Sequence, residues 1–201
     1  MEFRELSVSG SFEITPKLIR DDCGLFMESF RHDRFESVIG HPFEFAQGNT
    51  SVSRRGVVRG IHFADVPPSQ AKYVTCARGA VFDFVVDIRI GSDTFGAWDS
   101  VLLDDVDRRS IYLGEGLGHA FVALTDDATV TYMVSSVFNA QREHGINPLD
   151  PEIGLDFRLP REELLLSEKD LQAPSLAEAL ELGTLPTFAD VRALNAHQAS
   201  R

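Results

Sequence analysis

The chain has 201 residues, enough for one sizeable domain and short for two, and its 43% hydrophobic content fits a packed core rather than a disordered chain. Acidic groups (31) outnumber Lys plus Arg (19), and the formal net charge of −12 argues against nucleic acid or an anionic membrane as the main partner. That balance still leaves room for a phosphate at a local cluster of Arg59, Lys72 and Lys169. Cys23 and Cys76 have no metal or redox spacing, the first residues carry no signal-peptide apolar run, and no apolar stretch reaches bilayer length. These features predict a cytoplasmic protein with reduced thiols.

Short strand-like runs recur from the N-terminus to about Val137. Phe26 to Phe30 alternates Phe26, Glu28 and Phe30 against Met27 and Ser29. From Phe45 to Phe63, Gln47, Asn49, Ser51 and Ser53 alternate with Ala46, Gly48, Thr50 and Val52, a period of two that means a strand. An ordinary half-buried strand would offer large apolar residues on one face, whereas this one offers amides and hydroxyls. After the turn at Gly56 a second strand carries Arg59 and His62, expected on opposite faces. The combination suggests a pocket inside a β-structure that holds a polar ligand.

Ala71 to Ala77 follows Pro67 and Pro68. Ala80 to Ile90 puts Phe82, Phe84, Val86 and Ile88 on one face, with Asp83, Asp87 and Arg89 opposite. Ser100–Leu103, Ser110–Leu113, Ala120–Leu124 and Thr129–Ser135 follow. Many short strands between Gly, Pro and Asp turns predict a sandwich or barrel, and the 15 phenylalanines would supply its bulky interior. Near the C-terminus, Ser175 to Glu178 reads as a capping box with Gly183 as a stop, and Thr187 opens a second short helix toward Asn195. The expected organisation is one domain, with a β-core over about 1–170 and a helical tail over about 171–201.

Taken singly, the candidate residues have ordinary explanations. A strand histidine such as His62 is more often a satisfied core or surface residue than a catalyst. A β-barrel metal site commonly needs His-x-His and a following carboxylate, but Ala64 stands two residues after His62, and no Glu follows shortly after. His32, His41 and His144 fall in expected loops without shared spacing, so no metal site is expected. Lys72 shares a face with Val74 and Cys76, and either snorkels or opposes a developing oxyanion. Tyr132 alternates with Val130 and Val134 and is either core packing or a proton donor in a pocket. His119 lies among glycines and could be a turn residue, and Asp170 could simply belong to a capping box with Ser167.

Together, Gln47-x-Asn49-x-Ser51-x-Ser53, Arg59-Gly60-x-His62, Gln70-x-Lys72, Val86-Asp87-x-Arg89 with Gly91 to Gly96, Gly118-His119-Ala120-Phe121 and Ser167 to Asp170 resemble the dTDP-4-dehydro-6-deoxysugar 3,5-epimerase family. The resemblance runs in order from about Phe3 to Asp170, and Gly183 to Phe188 is similar to the tails of epimerases in antibiotic deoxysugar pathways. It implies a cupin-type jelly roll (a double-stranded β-helix) with short C-terminal helices. It also implies a homodimer with crossing N-terminal strands, a dTDP-4-keto-6-deoxysugar substrate, and no metal or organic cofactor.

Carried over by position, His62 is the general base and Asp170 orients it, Lys72 stabilises an enolate at the C4 oxygen, and Tyr132 delivers a proton from the other face. Arg59, Lys169 and His119 would hold the diphosphate or sugar, while Phe26, Glu28, Gln47 and Asn49 would contact the nucleotide. Two departures stand out. Cys23 occupies a position where relatives often have Arg, and Val137 and Phe138 stand where many 3,5-epimerases have paired tyrosines. The expected activity is therefore inversion at C3, with full 3,5-epimerisation or C5 inversion as alternatives. Other classes to be separated are a 3,4-ketoisomerase, a non-catalytic nucleotide-sugar-binding cupin, and a metal-dependent cupin oxygenase.

Overall fold

A computed structural model of the chain describes residues 1–200. Its strands are β1 (Glu2–Glu5), β2 (Ser11–Thr15), β3 (Ile19–Asp21), β4 (Gly24–Phe26), β5 (Gln47–Ser53), β6 (Val58–Ala64), β7 (Lys72–Arg78), β8 (Ala80–Val86), β9 (Trp98–Asp104), β10 (Ser110–Leu113), β11 (Gly118–Ala123), β12 (Ala128–Val134) and β13 (Glu143–Gly145). Helix α1 (His32–Ile39) lies between β4 and β5, while α2 (Glu168–Leu171), α3 (Leu176–Glu181) and α4 (Phe188–Ala199) follow the last strand. A six-stranded antiparallel sheet in the order β1-β2-β10-β7-β12-β5 faces a five-stranded one in the order β13-β6-β11-β8-β9. The hairpin β3-β4 stands apart. The fold is a cupin-type jelly roll.

The alternating sequence patterns are explained by which faces are covered. Between the sheets, Val74, Cys76, Ile111 and Val130 of one meet Val81, Val85, Leu103 and Phe121 of the other. Phe121 is the one phenylalanine in that cluster. The phenylalanines expected to fill the sandwich lie outside it, because both sheets carry a second layer. Phe84 and Val86, with Phe82 partly buried beside them, pack outward against Ile153, Phe157 and Leu176 of the C-terminal segment. On the far side, Phe35 of α1 and Phe43 pack on Tyr73 and Tyr112. Fully burying a side chain such as Phe35 stabilises the fold by roughly 1.5–3 kcal/mol.

Local signals settle the ends of the elements. Ser175 accepts from the Glu178 amide while the Glu178 side chain accepts from the Ser175 amide, so the expected capping box starts α3. Thr187 caps α4, which runs longer than the sequence indicated. At the end of β8, Asp87 receives Arg89 Nε at 2.8 Å and Arg89 Nη2 at 2.7 Å, and Ser92 and Thr94 hydroxyls at 2.6 Å each. That buried knot explains why the strand stops at Val86 rather than at Ile90.

Several expectations change. Phe26 ends β4, and the run to Phe30 is not a strand; the exposed hairpin and α1 replace it. His32 starts α1 and His144 lies in β13, so neither is a loop residue. Arg59 and His62 share a face instead of opposing one another. His119 pairs with His62 and Phe121 with Arg59, so Ala120 of β11 lies opposite both Gly60 and Ile61 of β6. The extra residue is a β-bulge that flips the parity of the strand. Gly60, at φ +120°, makes room for it, because a Cβ there would stand 2.5 Å from the His119 carbonyl oxygen.

Candidate active site

Strand register assembles the site. On the inner face of the six-stranded sheet, Asn49 lies opposite Tyr132, which lies opposite Val74, while Gln47, Val134 and Lys72 form the next row. On the inner face of the other sheet, the bulge brings His62 and Arg59 into line with His119 and Phe121. At the open end between the sheets is a cavity lined by Asn49, His62, Gln70, Lys72, Tyr132, Phe138, Glu143, His144 and Lys169.

His62 is half-buried, and its Nε2 lies 2.7 Å from Asp170 Oδ1. With the Nε2 proton committed to that carboxylate, Nδ1 carries the free lone pair. Asp170 sits in the single turn of α2, and Ser167 both caps that turn and donates to Asp170 Oδ2 at 2.8 Å. The two readings of Ser167 to Asp170, cap and catalytic carboxylate, are therefore compatible. Burial acts to raise the Asp170 pKa, but His62, Ser167 and Lys169 outweigh it and hold the carboxyl below its ordinary range. Asp170 is thus an anion beside the imidazole.

Lys72 is buried, and desolvation pulls its pKa down, with Glu143 and then Asp83 opposing the fall. Burial raises the Tyr132 phenol; Arg59 opposes that shift and Glu143 adds to it. A phenol held protonated suits a proton donor. His62 comes from one sheet, and Lys72 and Tyr132 come from the other. The cavity therefore has an imidazole on one side, a phenol on the other, and a lysine amine in the wall.

The remaining expected residues are distributed less simply. Asn49 and Lys169 line the cavity. Gln47 donates to Asn49 at 2.7 Å and accepts from the Phe138 amide at 2.9 Å, holding the cavity wall without lining it. Arg59 bonds Ser53 Oγ at 3.2 Å beyond the cavity lining. His119 is buried against Asp83 and meets the Tyr132 ring at 6.5 Å between centroids. Phe26 and Glu28 lie outside the cavity of this chain: Phe26 is 65% exposed, and Glu28 faces Arg31 across 3.7 Å. Sequence reading missed Glu143 and Asp83. Glu143 stands in no strand pattern or motif, and Asp83 was placed only on the strand face opposite Phe82 and Phe84. Among the described residues no group of three or more His, Cys, Asp or Glu side chains is placed to hold a metal ion, and no helix is long and apolar enough to cross a membrane.

Residues 5–178 match the family model described as dTDP-4-dehydrorhamnose 3,5-epimerase. The chain belongs to that family. The family's enzymes are isomerases, and this member is an epimerase of dTDP-sugars. It is 60% identical to the dTDP-4-dehydrorhamnose 3,5-epimerase of Mycolicibacterium smegmatis, over 96% of this chain and 94% of that protein. It is 53% identical to the dTDP-4-dehydrorhamnose 3-epimerase of Streptomyces niveus, over 96% of this chain and 93% of that one. Among solved structures, ChmJ, a 3′-monoepimerase from Streptomyces bikiniensis in complex with dTDP-quinovose, superposes with a TM-score of 0.93 at 46% identity, covering 98% of each chain.

Proposed function

We propose that this epimerase inverts C3 of a dTDP-4-keto-6-deoxyglucose substrate through an enolate, with His62 as base and Tyr132 as acid. The observation that carries the reading is the 2.7 Å His62–Asp170 pair facing Tyr132 across a cavity walled by Lys72. Hydrogens on C3 and C5 are both α to the 4-ketone, so removal of either develops negative charge on the same oxygen. His62 Nδ1 takes the C3 proton while Asp170 stabilises the imidazolium that forms. Lys72 opposes the charge at the carbonyl oxygen, where a fixed cation out of water is worth far more than in solution. Tyr132 then protonates C3 from the opposite face, which inverts it.

The preference for C3 rests on Phe138, an apolar ring in the cavity wall that offers no second proton donor, and agrees with the 53% likeness to a 3-epimerase. The tail at Gly183 to Phe188 favours a specialised antibiotic deoxysugar pathway. The 60% likeness to a 3,5-epimerase favours the second reading, inversion at both carbons. Incubation of the 4-keto-6-deoxyglucose nucleotide in deuterated water, read by NMR, decides between them. Label and inversion at C3 alone support the first reading, and label at C3 and C5 the second. No exchange above that of His62→Ala rejects both in favour of a binding protein.

We further propose a homodimer in which the β3-β4 hairpin serves the neighbouring cavity. Ile19 and Phe26 on the hairpin, and Phe45 and Val52 beside or on edge strand β5, are large exposed apolar residues that a second copy would cover. Phe26 and Glu28 would then contact the nucleotide of the partner.

A further inference from the structure

We propose that Asp83 is a positioning residue for this reaction: its buried carboxylate fixes the His119 imidazole beside Tyr132 and faces the charge of buried Lys72. The inference deepens the reading of Lys72 given above and rests on it.

Asp83 is fully buried on β8, on the same face as Val81 and Val85, which belong to the apolar cluster between the sheets. A carboxylate among valines is costly unless paired, and replacing a buried pair with well-packed apolar residues is often neutral or stabilising. Packing alone gives no reason for an acid here. Both Asp83 oxygens lie 2.9 Å from His119 Nε2. That contact sets the His119 ring, which stands edge-on to Tyr132 at 66°. Asp83 thus reaches the proposed acid through His119 and the proposed cation through space.

The lysine needs such a charge. The groups around it are Glu143 and His144 of β13, Asp83 of β8, His119 of β11, His62 of β6, Tyr132 of β12 and Lys169 of α2. Only Glu143 and Asp83 oppose the loss of its proton to burial. Glu143 lies in the cavity wall, half-buried, where water and substrate alter its influence. Asp83 is sealed from both. The dependence is mutual, since burial holds the Asp83 pKa above the ordinary carboxylate range and His119 and Lys72 offset only part of that rise.

The test is the pH profile of C3 exchange in Asp83→Asn, Asp83→Glu and Lys72→Met. Asp83→Asn should lower kcat by about 10–100-fold, leave KM within about threefold, and move the alkaline limb of kcat/KM about one pH unit lower as Lys72 loses its proton more easily. Asp83→Glu keeps the charge and disturbs His119, so kcat should fall while the limb stays in place. If Asp83→Asn does not fold, Asp83→Glu alone decides, and a limb that moves in it overturns the proposal. So does Asp83→Asn with an unmoved limb or wild-type kcat, provided Lys72→Met is inactive. If Lys72→Met exchanges like wild type, the reading of Lys72 itself fails.

Discussion

The Ser167 hydroxyl makes two bonds to one residue: it accepts from the Asp170 amide at 3.1 Å and donates to Asp170 Oδ2 at 2.8 Å. A helix of one turn has little stability of its own. Here the cap that starts the turn also aims the carboxylate that holds His62. Ser167→Ala should therefore lower kcat by about tenfold through one lost bond to a charged group. It should cost about 1 kcal/mol of stability as a lost cap. Steady-state kinetics and a denaturant titration check the two effects, and Ser167→Thr should recover much of both.

Phe138→Tyr restores a phenol to the cavity wall. If the apolar ring limits chemistry to C3, this substitution should raise the ratio of C5 to C3 deuterium incorporation several-fold with little change in fold stability. Proton NMR of the labelled product reads the ratio directly.

Exchange of hairpins between subunits can be tested by mixing two impaired variants. His62→Ala lacks the base, and Phe26→Ala with Glu28→Gln lacks the hairpin contacts. Co-refolding should create one complete site in each mixed dimer. Random pairing would then return about a quarter of wild-type activity from two weak parents. No recovery would mean that each cavity uses its own hairpin or none.

Below β8, burial alone would raise the Asp87 pKa, but Arg89, Ser92 and Thr94 outweigh it and hold the carboxyl below its ordinary range. Its contribution to stability is complete above the unfolded-chain carboxylate pKa of about 4 and disappears as pH falls through the lower folded value. Asp87→Asn leaves Arg89 buried without its counter-charge and should cost about 3–5 kcal/mol at neutral pH. Its stability should also depend less steeply on pH below about 4 than that of the wild type, as urea titrations at several pH values would show.

Much of the sandwich was legible because period-two alternation survives wherever a strand has two distinct environments, as in β5 and β12. The covering layers were not legible. In β8 both faces are buried, so the larger side chains pointed to the thicker outer layer rather than to the space between the sheets. Arg59 and His62 were assigned to opposite faces because one inserted residue at Gly60 changes parity without changing composition. Phe26 to Phe30 alternates as a strand would although only its first residue is extended in β4, and α1 beyond it was hidden because Phe35 is its one buried residue, too little for a helical apolar pattern to show. Within the candidate site, the motifs singled out His62, Lys72, Tyr132 and Asp170, which the fold brings to one cavity and its His62–Asp170 contact, whereas Asp83 and Glu143 are placed near them only by the register of β8 with β11 and of β13 with β6.

The central claim is proton removal on one face of the sugar and return on the other, and Tyr132→Phe tests it most directly. In deuterated water, His62 should still remove and return the C3 proton on its own side in this variant. Exchange without inversion should therefore persist, while net inversion falls by about 10²–10⁴-fold. Loss of exchange and inversion in equal measure, or inversion at the wild-type rate, would contradict the two-sided mechanism.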